Sequence, residues 1–350
     1  MRRGGLGFAL TAFVAIRVLG ILVLEVAARS EGRSAYGRLT GWDAQWYAGI
    51  ARHGYGLTKI VPDGRHLSDY AFFPLYPALE RGLADLGPLS VLQAGLIISN
   101  VSAVAAAWAI YLLGERVAGR GLILVVLWAA LPISVVESMA YSEALFTALA
   151  AWSLWSVLGG RWVTAGVLTA LAGSTRPVGV AVVAAVVVAA LLARQRRAWW
   201  AVLLAPLGPL AYLGWVGWRR GSWTGYLDAT KAWGNGYDGG VSFLRWVVAR
   251  PWPEELLLWL AIVMLLGLLL LAVLDRQPPA MLVFAGVLIA LALTTAGYFG
   301  SKPRYLLPAF PLLLPVAVRL PRRAATVVVP LLVGTSAGYG AVWLLGPGPP

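Results

Sequence analysis

Cysteine is absent from the 350 residues, which excludes disulfide scaffolds, thiolate metal sites and cysteine nucleophiles. Histidine occurs only at His53 and His66, so imidazole-rich metal sites are excluded as well. Charge is scarce: Asp, Glu, Lys and Arg make up 12% of the chain, about half the share found in a soluble globule. Hydrophobic residues supply 60%, and mean hydropathy is +0.77. Such a chain is an integral membrane protein. Lysine is nearly missing, with Lys59, Lys231 and Lys302 standing against 25 arginines. Beside so much Ala, Gly and Pro, that bias reads as codon usage, so an Arg in place of a Lys says little. The net charge of +13 comes without a solvated basic face or a recognition motif, and nucleic acid is not an expected partner.

Crossing ~30 Å of hydrocarbon takes ~20 mostly apolar residues. Apolar runs fall near 6–28, 89–113, 121–136, 141–158, 162–173, 177–193, 198–217, 254–274, 279–297, 305–318 and 324–345. The pattern predicts an all-α polytopic protein of about eleven spans, with no β-barrel alternation. The run at 162–173 is short, and 162–193 reads as two passes that meet at Ser174-Thr175-Arg176-Pro177. The N-terminal run has signal-peptide features around Val26-Ala27-Ala28, but its length favours a retained anchor. Cations orient the bundle. Connectors carrying Arg2 and Arg3, Arg116 and Arg120, Arg161, Arg194 to Arg197, Arg276, and Arg319 to Arg323 hold twelve cations and only two acids, Glu115 and Asp275. They belong inside, with the N-terminus cytoplasmic. The opposite, extracytoplasmic side has two long segments, 29–88 and 218–253, where polar function is expected.

Residues 41–55 read GWDAQWYAGIARHGY. Trp42, Trp46 and Ile50 recur every four residues, as do Asp43 and Tyr47, which predicts a short amphipathic helix on the membrane surface. Asp43 then lies at the water–lipid boundary, either as a solvated capping residue or as a working carboxylate. Residues 70–79 read YAFFPLYPAL, an aromatic turn in which Pro74 and Pro77 interrupt a helix; Tyr70 faces either the interface or a lipid groove. SMAYSEALFTAL (138–149) opens a span with Glu143, a position favoured by the helix dipole and also suited to facing a cavity. Arg176, Lys302 and Arg304 stand at outer helix ends beside Tyr305, either as snorkelling cations or as a phosphate clamp. Arg17 is a charge near mid-membrane whose partner must lie in the bundle interior, because Glu25 is ~12 Å along the helix.

In order, WDAQWYAGIARHGY, AFFPLYPAL, YSEALF, RPVG and PRYLLPAFPLL resemble the PIG-V type mannosyltransferases, bacterial relatives of GPI mannosyltransferase 2 within the GT-C glycosyltransferase superfamily. The similarity runs from about residue 10 to residue 315. It implies a single GT-C-like domain over 1–350 and an inverting transferase. The donor would be a polyprenyl-phosphate sugar, commonly mannose, and the acceptor a lipid or glycan on the outer face. Asp43 is then the expected base. Arg176, Lys302 and Arg304 would take the donor phosphate, and Trp42, Trp46, Tyr47, Tyr70, Glu143 and Tyr305 would contact substrate. Many GT-C members carry paired acids in this loop, whereas Ala44 and Gln45 follow Asp43 here. No metal ligand set is expected, and a divalent cation is left open. The chemistry suits one carboxylate: a phosphate leaves without protonation, so a base and fixed cations suffice. A transporter or flippase of lipid-linked sugars is the alternative, but only Arg17 is deep and the two halves of the chain do not match.

Overall fold

The computed structural model describes residues 3–346 and 348–349, with no account of the side chains of Arg3, Gly4 and Arg322. Arg2, used above to place the N-terminus, lies outside the described residues. The helices run α1 Arg3–Ser30, α2 Ala35–Leu39, α3 Asp43–His53, α4 Leu75–Asp85, α5 Val91–Ala118, α6 Gly121–Ala129, α7 Glu143–Leu158, α8 Trp162–Gly173, α9 Val180–Ala193, α10 Trp199–Leu204, α11 Leu207–Arg220, α12 Gly225–Ala232, α13 Val241–Val248, α14 Glu254–Leu274, α15 Pro279–Thr294, α16 Lys302–Leu306, α17 Leu314–Arg319 and α18 Arg322–Leu345. Among the described residues, sheet is confined to two short antiparallel pairs, Thr58–Ile60 with His66–Ser68 and Gly236–Tyr237 with Thr295–Ala296. The protein is an all-α polytopic membrane protein.

Five helices among the described residues are long and apolar enough to cross a bilayer: Gly5–Ser30, Val91–Ala118, Arg196–Arg220, Glu254–Leu274 and Arg323–Leu345. The other apolar runs form shorter helices, and proline explains the worst breaks. The run at 121–136 is helical only to Ala129, ~14 Å of rise, because Pro132 turns the chain into a 3-10 segment at Ser134–Ser138. The run at 305–318 is cut by Pro308, Pro311 and Pro315 into α16, a 3-10 turn and α17. In contrast, Pro74 and Pro77 start α4, where their missing N–H groups cost nothing.

The main core gathers the inner faces of α5, α6, α7, α8, α9 and α15 around Trp128, Phe146, Phe284 and Phe310. Small residues set the spacing: a Cβ on Gly208 would strike the Ala170 carbonyl, so α11 can approach α8 only with glycine there. α14 is the opposite case, a leucine-rich helix with almost no buried side chain, as suits a helix solvated by acyl chains.

Contacts also fix which helix ends lie together. Arg116 Nη2 donates to the Leu158 carbonyl at 2.6 Å, and Trp162 Nε1 donates to Gln195 Oε1 at 3.2 Å. The start of α8 therefore lies beside the end of α9, and 162–193 is a helical hairpin. At the far end of the bundle, Arg38 holds the last turn of α18 through the carbonyls of Leu344 (2.5 Å) and Gly346 (2.8 Å).

Candidate functional site

Asp43 is the first residue of α3, and the chain reaches it through a strained turn. Trp42 has φ +49, a region that a bulky side chain enters at a cost of about 1–3 kcal/mol. Arg38 stacks on the Trp42 ring at 4.4 Å and helps hold it. Asp43 then projects into the bundle, where the positive end of α3 favours its carboxylate. Its backbone N–H donates to Tyr141 Oη at 3.2 Å.

Arg304, on α16, donates through Nη2 to Asp43 Oδ2 at 2.9 Å. Its Nε lies 3.5 Å from Glu143 Oε1, and its guanidinium covers the Tyr141 ring at 5.2 Å. Glu143 opens α7, and its other oxygen, Oε2, is 2.5 Å from Arg176 Nη1, an ion-pair approach without hydrogen-bond alignment. Arg176 leaves the α8–α9 turn and also donates to Ser142 Oγ at 3.2 Å; Ser142 pairs with Tyr47 Oη at 2.7 Å. Two carboxylates and two guanidiniums from four separate stretches of chain thus meet at one end of the bundle. Glu143 is 1%, Arg176 8% and Arg304 8% exposed. Asp43 is the most open of the four, at 22% of its side chain. Arg304 Nε and Nη1 have no hydrogen-bond partner among the described residues.

The remaining predicted residues divide. Tyr47 joins the cluster through Ser142, and burial raises its phenol above the usual range, keeping it neutral. Tyr305 is half-buried, with no hydrogen bond to the cluster among the described residues. Lys302 is committed elsewhere: its Nζ donates to the carbonyls of Ala292 and, at 2.6 Å, Thr295, closing the end of α15. The rings of Phe243 and Phe299 cover it, and burial lowers it to about 8. Tyr70 packs with Tyr55, stacked at 5.6 Å, and with Trp215, in a separate aromatic group under α11. Trp46 and Ile50, the face assigned above to the lipid surface, are covered by protein instead. Trp46 stacks on Phe72 at 5.7 Å and meets Trp233 edge-on at 5.1 Å, because the second long outer segment folds over α3.

Arg17, expected to find an interior partner, does so, and two further buried polar groups, Glu137 and Glu80, were not apparent from the sequence. Arg17 finds its partners in Ser134 Oγ, at 2.6 Å from Nη1, and Ser138 Oγ, at 3.2 Å from Nε. Glu137, 2% exposed, accepts from Thr147 at 3.3 Å through one oxygen and leaves the other unpaired. An acid ending an apolar run was the available signal. Glu80 is fully buried on α4 against Gly95 and Tyr76, with neither oxygen paired.

Burial raises Glu80 to about 9, and the positive charge of Arg52 only partly opposes this. The folded protein therefore keeps a proton that the unfolded chain loses near 4.5. The stability linked to that proton is complete below 4.5 and is lost as pH rises toward 9. Glu80→Gln removes the linkage. Thermal unfolding in detergent is expected to show the variant gaining on wild type steadily from pH 5 to pH 9; a gap independent of pH would mean that Glu80 is ionised in the fold.

No family model matches the sequence, and no curated protein matches it. The fold does have solved counterparts among polytopic membrane proteins. The crystal structure of ArnT from Cupriavidus metallidurans bound to undecaprenyl phosphate is similar with a TM-score of 0.53 and 16% identity, over 90% of this chain and 61% of that one. The apo state of the same protein gives 0.53 and 16%, over 89% and 60%. This chain thus spans about three-fifths of the ArnT length.

Proposed function

We propose that the protein is an inverting glycosyltransferase of the PIG-V type. It would move a sugar, mannose by resemblance, from a polyprenyl-phosphate donor to a hydroxyl of a lipid or glycan acceptor, with the site on the extracytoplasmic face. The observation that carries this reading is the buried cluster of Asp43, Glu143, Arg176 and Arg304 at one end of a GT-C-type bundle. The arginine-rich connectors lie at the opposite end, which supports an outward-facing site. ArnT, with the same fold, binds undecaprenyl phosphate.

The geometry suits the reaction. The acceptor oxygen attacks the anomeric carbon from the side opposite the phosphate. Asp43, the most accessible acid of the four, takes the hydroxyl proton. Arg176 and Arg304 stabilise the charge that gathers on the departing phosphate, and buried guanidiniums do so strongly because water is excluded. Lys302 would fix the backbone that carries Arg304, two residues further on. Tyr47, Tyr305 and Trp42 would shape the walls.

The test is reconstitution of the purified protein in liposomes with labelled polyprenyl-phosphate mannose and a lipid extract as acceptor. Labelled product and free polyprenyl phosphate are expected to appear together. Passage of label across the bilayer with no new covalent product would establish the transporter reading instead.

A further inference from the structure

Arg304 stands between two acids. Nη2 serves Asp43 at 2.9 Å, Nε lies 3.5 Å from Glu143, and Nη1 has no partner among the described residues although the residue is 8% exposed. A buried guanidinium with free donors is costly unless another anion completes it. Asp43 is faced by Arg304 from α16 and by Tyr141 from the turn before α7, with Tyr47 of its own helix nearby and Glu143 of α7 joined to it through Arg304. Among these, Arg304 supplies the positive charge. Arg176 is held by Glu143. The four charged groups sum to zero.

Sugar transfer moves charge through this cluster. The acceptor O–H bond breaks and its proton goes to Asp43. A bond forms from the acceptor oxygen to the anomeric carbon. The bond from that carbon to the phosphate oxygen breaks, and its electron pair stays on the phosphate. Asp43 goes from −1 to neutral while the phosphate diester, at −1, becomes a monoester at −2. Atoms and charge balance with no other reactant. One negative charge has travelled from Asp43 to the phosphate, and a fixed cation serving only one of them would resist that movement.

We infer, resting on the transferase reading above, that Arg304 is a shared counter-ion: it neutralises Asp43 in the resting site and passes its hydrogen bonds to the leaving phosphate as Asp43 is protonated. The ion pair with Glu143 keeps the group anchored, so only the Nη end changes partner. The arrangement also ties the base to the donor, because a phosphate that draws Arg304 away leaves Asp43 with an unbalanced charge and a greater demand for a proton.

Binding of a product-like monoester should therefore bring proton uptake by Asp43. The probe is farnesyl phosphate, titrated calorimetrically into the purified full-length protein at pH 6.5 in buffers of different ionisation enthalpy. Wild type is expected to take up roughly half a proton or more beyond Asp43→Asn, once the bound phosphate's own protonation, read from its phosphorus NMR shift in each protein, is subtracted. Arg304→Gln should lose the same uptake, and Arg304→Lys should keep part of it. In turnover, Arg304→Gln should lower kcat ~10²–10³-fold with a smaller change in KM, with partial rescue by Arg304→Lys. Equal proton uptake by wild type and Asp43→Asn would overturn the shared counter-ion and leave the phosphate site standing. Failure of wild type to bind farnesyl phosphate would overturn both. The comparison of wild type with Asp43→Asn decides the matter even where Arg304→Gln fails to fold.

Discussion

Asp43→Asn is expected to lower turnover ~10²–10⁴-fold, about 3–5 kcal/mol of barrier, while donor binding is retained or tightened. The substitution keeps the side-chain shape and leaves the backbone bond from residue 43 to Tyr141 untouched. The amide oxygen can still accept from Arg304. What disappears is the capacity to accept a proton from the acceptor hydroxyl. Retained binding follows from the same geometry: a neutral amide competes less well than a carboxylate for Arg304, which is freer to hold the donor phosphate. The measurement is kcat and KM in the reconstituted transfer reaction, with donor affinity determined separately. Near-normal kcat would remove Asp43 from the role of base. Loss of donor binding together with activity would make the residue a structural anchor for Arg304 instead.

Much of this fold is legible in the sequence because bilayer thickness and backbone hydrogen bonding leave few solutions for apolar runs. α1, α5, α14 and α18 fall where hydropathy places them. The hairpin of α8 and α9 is legible too, since the polar turn at Ser174 to Pro177 parts two apolar runs. Hydropathy fails where proline overrides it, as at Pro132 and in the 305–318 run. It cannot reveal that residues far apart in the chain share a site. Asp43 is without a neighbouring acid in sequence, yet Arg304, 261 residues away, links it to Glu143. Spacing assigned Trp46 and Ile50 to the lipid surface because a helical period identifies an apolar face without saying what covers it. Lys302 and Arg304 lie two residues apart, but one closes α15 and the other reaches Asp43. The positive φ of Trp42 has no sequence signature, since no glycine or asparagine marks it.

Glu143→Ala is expected to destabilise the folded protein by about 3–5 kcal/mol, the range for removing one partner from a buried ion pair. Its carboxylate is 1% exposed, and its two oxygens face Arg176 and Arg304 separately. Without it, two buried guanidiniums confront each other with only Asp43 to balance them, and Arg176 keeps one neutral partner, Ser142. Glu143→Gln preserves the volume and isolates the charge, so most of the loss should persist in that variant. The pairing, rather than the volume, is checked by a double-mutant cycle with Arg176→Gln. Removing both partners should cost less than the sum of the single changes, because neither variant residue then leaves a charge stranded. High salt should barely alter the coupling, since the pair is out of contact with solvent ions. Unfolding measured in detergent supplies all four corners of the cycle. Additive losses, or a cost below about 1 kcal/mol for Glu143→Ala, would show that water reaches the cluster and that Glu143 does not hold the two arginines together.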